Sequence, residues 1–152
     1  MGLQTICKPF NALTPYELYV LLRLRNEVFV VEQNCMYLDT DNIDQVSHHL
    51  LLYKEKELIA YARLIPPGIS YAEISIGRVV TNIAYRGAGI GKQLMVASID
   101  ACKKLYGEGN IKIGAQFYLK NFYESFGFVQ CSDVYDEDDI EHIKMIRRSL
   151  QN

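Results

Sequence analysis

Tryptophan is absent from the 152-residue chain, and histidine, cysteine and proline are scarce, at three, four and four residues. The cysteines stand at positions 7, 35, 102 and 131, too far apart for a C-x-x-C pair. That spacing excludes a zinc knuckle and a thioredoxin-like redox site, and no metal is expected. Reduced thiols and a cytoplasmic location are the expectation. Cys35, beside Met36, reads as a small buried hydrophobe rather than a reactive thiol. No apolar run approaches membrane-spanning length, so no membrane partner is expected. The first residues lack a charged region followed by an apolar stretch, so neither is a signal peptide. The formal net charge of −2 makes no global electrostatic case for nucleic acid. Repeats, low-complexity tracts and linkers are missing as well.

What is present suits one packed domain over residues 1–152, because 49% of the residues are apolar and only 22% charged. Acid is unevenly spread: one cluster is Asp39, Asp41 and Asp44, another runs through residues 133–141. Each is either a draw for a cationic substrate or a solvated acidic loop.

Hydropathy and turn residues order the elements. Residues 3–7 suit a first strand. Thr14 caps a helix, with Pro15 at its first position and Glu17 completing a capping box. Leu18, Leu21, Leu22, Arg25 and Phe29 step along that helix, and the β-branched and aromatic run Val28-Phe29-Val30-Val31 leaves its end open. Residues 39–45 read as a loop. Strands follow over 49–53 and 58–65, joined by a turn at Lys54-Glu55-Lys56-Glu57. Pro66-Pro67-Gly68 breaks the chain. Residues 73–81 suit a central strand with Gly77 as a bulge. A second helix carries Ile90, Leu94, Ala97, Ala101 and Leu105 on one face and stops at Gly107 and Gly109. A strand over 111–114, an aromatic helix over 118–126 ended by Gly127, and strands over 128–131 and 142–146 complete an α/β domain.

Between the central strand and the second helix stands Arg86-Gly87-Ala88-Gly89-Ile90-Gly91-Lys92. A helix N-terminus presents unpaired N–H groups and the positive end of the macrodipole. Glycines let the backbone approach a diphosphate, and Arg86 and Lys92 add charge. Together these make an anion cradle. A Walker loop would need one more residue between its glycines and a hydroxyl where Gln93 stands. A dinucleotide fingerprint needs G-x-G-x-x-G, and the chain has G-x-G-x-G. The R/Q-x-x-G-x-G/A loop of acyl-CoA binders fits in order and spacing. Taken alone, the loop also suits a plain glycine-rich turn before a helix.

The downstream stretch Gln116-Phe117-Tyr118-Leu119-Lys120-Asn121-Phe122-Tyr123-Glu124-Ser125-Phe126-Gly127-Phe128 resembles the second hallmark of the GNAT superfamily of N-acetyltransferases. In that hallmark an aromatic helix ending in a tyrosine, followed by a Gly-Phe pair, flanks the thioester. Similarity to the ElaA-type branch extends over most of the chain. It includes Leu22-Arg23-Leu24-Arg25, Val28-Phe29-Val30-Val31-Glu32-Gln33, the aspartates 39, 41 and 44, His49-Leu50, Ala62-Arg63-Leu64, Gly77-Arg78-Val79-Val80 and residues 137–142. Two positions depart: Gln116 stands where many members have Asn, and Glu141 where the branch often has Pro.

The resemblance implies a mixed, largely antiparallel central sheet flanked by helices. It implies direct transfer of an acetyl group from acetyl-CoA to a primary amine of a small molecule or peptide, and a homodimer is in keeping with it. Pantetheine would pair with the backbone of Val79, Val80 and Thr81, and the pyrophosphate would sit on Arg86, Gly87, Ala88, Gly89, Ile90, Gly91 and Lys92, with Gln116 as a further cofactor contact. The backbone N–H of Val80 would receive the carbonyl oxygen, and Tyr123, a phenol near its ordinary pKa, would protonate the leaving sulfur. His142, after an acidic loop, is favoured as base among Glu27, Glu32 and His49. Arg63 and Arg78 would shape the acceptor pocket with carboxylate partners or hold strands together. A non-catalytic acyl-CoA-binding module that regulates a partner is the rival expectation.

Overall fold

The computed structural model describes residues 2–150. Four antiparallel strands lie in chain order in the first sheet: β1 (Leu3–Pro9), β2 (His48–Lys54), β3 (Glu57–Ile65) and β4 (Ser75–Thr81). A second sheet is built from β5 (Ile111–Gln116), β6 (Val129–Gln130), β7 (Tyr135–Glu137) and β8 (Ile140–Arg147), all pairing antiparallel with β8. The mixed α/β fold with antiparallel sheets therefore stands, divided into two sheets. The β7 strand was not anticipated: the acidic run pairs as a hairpin with Asp138 and Asp139 at its tip, both at positive φ.

Helix α1 (Pro15–Arg25) begins as its sequence indicates. Thr14 Oγ1 accepts from the Glu17 N–H, and the Glu17 carboxylate accepts from the Thr14 N–H. The β-branched run does extend it, as a π-helical segment over Asn26–Glu32. Helix α2 (Ile90–Tyr106) ends at Gly107, and the aromatic segment yields only a short α3 (Lys120–Glu124) after a 3₁₀ turn.

Alternation along β2 explains why that strand is apolar on both faces. Leu50 and Leu52 join the core under α2, with Leu94, Met95 and Ile99, whereas Leu51 joins Leu21, Leu24 and Tyr61 under α1. The sheet is thus sandwiched between helices.

Two backbone features create room for a ligand. The sheets meet at a parallel bridge between Ile74 and Ile111, where the Lys112 N–H donates to the Ile74 carbonyl at 2.8 Å. Past that point no ladder joins β4 to β5, and a cavity opens between them. The second feature is a bulge in β4, one residue later than expected. Gly77 faces Arg63 and Val80 faces Tyr61, so Arg78 and Val79 share the space opposite Ala62. Arg78, not Gly77, takes the left-handed conformation, with φ 51°. Its guanidinium bonds to Asp39 and Asp41 and lies over the Tyr37 ring, which holds a conformation arginine otherwise disfavours.

Candidate active site

The cavity between β4 and β5 has a volume of about 720 Å³. Its walls are residues 76–81 of β4, the glycine-rich loop, Ile113, Gly114 and Gln116 of β5, the aromatic segment, the π-helical segment and the β7–β8 hairpin. Residues from six separate stretches of sequence therefore face one space.

At one end lies the start of α2. Gly89 occupies the N-cap at φ 76°, so the helix has no side-chain cap and no acidic residue in its first turn. The N–H groups of that turn are left for an anion, and seventeen residues of helix stand behind them. A side chain at position 89 would be strained by the positive φ, although nothing lies within 4 Å of its Cβ position. Arg86, Gly87, Gly89, Ile90 and Gly91 line the cavity, whereas Ala88 and Lys92 are not on its wall. The Arg86 guanidinium is held by both oxygens of Glu32, at 2.6 and 2.7 Å. Glu32 thus sits at the mouth as a partner of the loop.

Tyr123 reaches the cavity from α3 and is 7% exposed. Its ring packs edge-on against Phe122 and Phe128. Among the described residues its hydroxyl has no hydrogen-bond partner. The near-ordinary pKa expected for this phenol is corrected: burial pushes it well up, because the phenolate has lost water and gained no compensating donor.

His142 enters from β8 and is 8% exposed. Its Nδ1 lies 2.8 Å from the Ile140 carbonyl, which accepts, so Nδ1 carries a proton. The Glu137 carboxylate stands 3.5 Å from Nε2. Tyr135 stacks on the other side of the ring. Gln116 lines the same wall and donates to Gln33 Oε1 at 3.3 Å. Cys35 is buried as expected, but it lines the cavity and donates its thiol to the Asp138 carbonyl at 3.3 Å. Burial, aided by the neighbouring aspartates, pushes that thiol's pKa up.

The remaining candidates lie elsewhere. His49 is wholly buried in the core: Tyr61 Oη donates to Nδ1 at 2.6 Å, and Nε2 donates to the Asp44 carbonyl at 2.8 Å. Burial lowers its pKa and keeps it neutral, with both nitrogens occupied. Glu27 is an exposed i,i+4 partner of Arg23, off the cavity wall. Arg63 is buried away from the wall and bonds to Asp41 and Asp44. Arg78 is on the wall, yet its polar nitrogens point to Asp39 and Asp41. The first acidic cluster is therefore neither a solvated loop nor free to attract a cation; its aspartates are the counterions of three arginines. The third is Arg25, fully buried and bonded to Asp39 and Asp44, which hydropathy had placed merely on a helix face. Sequence reasoning missed its role; the signal was an arginine in an otherwise apolar stripe. Among the described residues no group of three or more His, Cys, Asp or Glu is placed to hold a metal ion, and no helix is long and apolar enough to cross a membrane.

A strand bulge, an open helix N-terminus and an aromatic helix around one splayed cleft define an acyl-CoA-using transferase fold, and comparison with known proteins bears this out. The Acetyltransferase (GNAT) domain model matches residues 19–149, and the chain belongs to that family. It is 43% identical to Protein ElaA of Escherichia coli (strain K12) over 143 residues, covering 93% of this chain and 94% of that protein. Among solved structures it is similar to an acyl-CoA N-acyltransferase from Pseudomonas aeruginosa, at 44% identity and a TM-score of 0.92, covering 96% of this chain and 99% of that one. The crystal structure of Escherichia coli ElaA superposes with a TM-score of 0.91 at 40% identity, covering 97% and 100% of the two chains. The chemistry of the family is acyl transfer from coenzyme A.

Proposed function

We propose that the protein transfers an acetyl group from acetyl-CoA to the primary amine of an acceptor, by direct attack on the thioester. The observation that carries this reading is a single cavity with an uncapped helix N-terminus at one end and the partnerless Tyr123 hydroxyl within it. The residues present fit the cofactor. Gly87–Gly91 would hold the pyrophosphate, and Val79–Thr81, where the bulge interrupts the β3 ladder, would pair with pantetheine as an added strand does. The cofactor supplies the activated acyl group. The N–H of Val80, the residue at which register resumes, receives the developing oxyanion. His142 Nε2 takes the amine proton and Tyr123 gives one to the departing sulfur.

Free thiol release from acetyl-CoA, measured across a panel of amines, tests the reading. Acceptor-dependent turnover is the expected result. Tight acetyl-CoA binding with no turnover on any amine would favour a regulatory acyl-CoA-binding module instead.

The donor site has its own test. Gly89→Glu places a carboxylate on the pyrophosphate position in a strained conformation. Its acetyl-CoA dissociation constant should rise about a hundredfold or more, while the fold loses only about 1–2 kcal/mol. Calorimetry and a denaturation curve on the same sample separate the two. Parallel loss of binding and stability would make Gly89 a structural residue alone.

A further inference from the structure

Among the described residues two arginines line the cavity, and each meets carboxylates of the protein. Arg78, at the bulge, is held by Asp39 and Asp41 and belongs to the buried network. Arg86 stands in the glycine-rich loop, beside the open start of α2. Lys92, the loop's other cation, is off the wall. Arg86 is therefore the side-chain cation that this end of the wall offers to a diphosphate, and Glu32 neutralises it.

The pair has a built geometry. Arg86 and Glu32 are 54 residues apart in sequence, yet Nη1 donates to Oε2 at 2.6 Å and Nη2 to Oε1 at 2.7 Å. A guanidinium offers a phosphate the same forked, charge-assisted contact. The Arg86 hydrogen bond holds the Glu32 carboxyl below the usual carboxylate range, so it is an anion at neutral pH. Glu32 is also fixed from its own side. It ends the π-helical segment, and its neighbours reach across the same cleft. Gln33 Oε1 accepts from Gln116 at 3.3 Å, and the Cys35 thiol donates to the Asp138 carbonyl at 3.3 Å. Residues 32, 33 and 35 thus tie one strap to three parts of the wall. With Glu32 35% and Arg86 42% exposed, the first of these ties is open to exchange, unlike the buried pairs of Arg25.

We propose that Glu32 competes with the cofactor's diphosphate for Arg86, so that binding trades the carboxylate for phosphate oxygens at the two Nη atoms. This rests on the reading of Gly87–Gly91 as the diphosphate site. Sharing the guanidinium instead would bring carboxylate and diphosphate side by side, and like charges repel. The exchange also detaches the strap from the glycine-rich loop at residue 32. Substrate and product are weakened alike, because acetyl-CoA and coenzyme A carry the same diphosphate.

Glu32→Gln keeps the shape of the side chain and removes its charge. Calorimetric titration should give an acetyl-CoA dissociation constant about twofold to fivefold below that of the parent, the scale of one exposed ion pair. Coenzyme A should show the same ratio, and the ratio should shrink at high salt. Glu27→Gln removes a carboxylate from the same segment, where it pairs with Arg23 off the wall, and should leave the constant unchanged. Arg86→Gln should raise it. A thermal melt of each variant confirms the fold. An unchanged or higher constant for Glu32→Gln, an equal gain for Glu27→Gln, or no loss for Arg86→Gln would each overturn the inference while leaving acyl-CoA binding in place. No binding of acetyl-CoA by the parent would instead sink the diphosphate site, and the inference with it.

Discussion

Arg25→Ala should destabilise the fold by about 3–5 kcal/mol, the scale of removing one member of a buried ion pair and a large share of the roughly 5–15 kcal/mol that holds a domain together. The side chain is fully buried. Nε donates to Asp39 at 2.7 Å, Nη1 to Asp44 at 2.7 Å, and Nη2 to the Asp39 carbonyl at 3.1 Å and to Asp44 at 3.3 Å. Truncation leaves two aspartates in the interior with a charge deficit, and they also anchor Arg63 and Arg78. Arg25→Lys should recover only part of the loss, because an ammonium cannot reproduce the planar fork. Denaturant midpoints check both variants. A midpoint for Arg25→Ala equal to that of the parent would mean that Arg63 and Arg78 alone satisfy the aspartates.

The same network sets an acid limit. Burial raises the Asp41 pKa, but the Arg63 hydrogen bonds and the charges of Arg63 and Arg78 overcome it and bring it down to about 2. Asp44, opposed by burial and held by Arg25 and Arg63, is also lowered. Both folded values lie below the unfolded one of about 4. Their stabilisation is therefore complete above the unfolded pKa and is lost as pH falls from about 4 through the folded values, about 2 for Asp41. Melting temperatures across that interval should drop steeply; a flat profile would show that the aspartates contribute nothing.

Tyr123→Phe should lower kcat by about a hundredfold or more, the usual scale for a positioned acid, with acetyl-CoA affinity nearly unchanged. The edge-on contacts of its ring with Phe122 and Phe128 need only the ring, so phenylalanine preserves the packing. The raised pKa keeps the hydroxyl protonated well into the alkaline range, so Tyr123 should impose no loss of turnover below about pH 10. Single-turnover kinetics beside a binding titration separate the two effects. Unchanged turnover would hand sulfur protonation to solvent.

How much was legible depended on how local each feature is. The Thr14 cap and Glu17 lie within one helical turn and were readable as they stand. So was the open start of α2, because a helix N-terminus with Gly89 at its cap is made by contiguous residues. The aromatic segment carried the family resemblance through its residue order, although its helix proved only five residues long. Gly77 attracted the bulge by residue type, but the conformation fell to Arg78 because tertiary partners hold its guanidinium.

The glycine-rich loop and the aromatic segment were thus enough, from sequence by itself, to mark the family and its use of an acyl-CoA, since short-range spacing dictates an open helix end. The roles of the two acidic clusters were decided only by the tertiary structure. Arg25 meets Asp39 and Asp44 across 14 and 19 residues, and Arg78 meets Asp39 across 39. Until the chain folds, those aspartates look the same as Glu137 and Asp138. Folding buries one acidic group against arginines and leaves the other facing the cavity, because a buried carboxylate must find a cation whereas a rim carboxylate keeps its water until a ligand arrives.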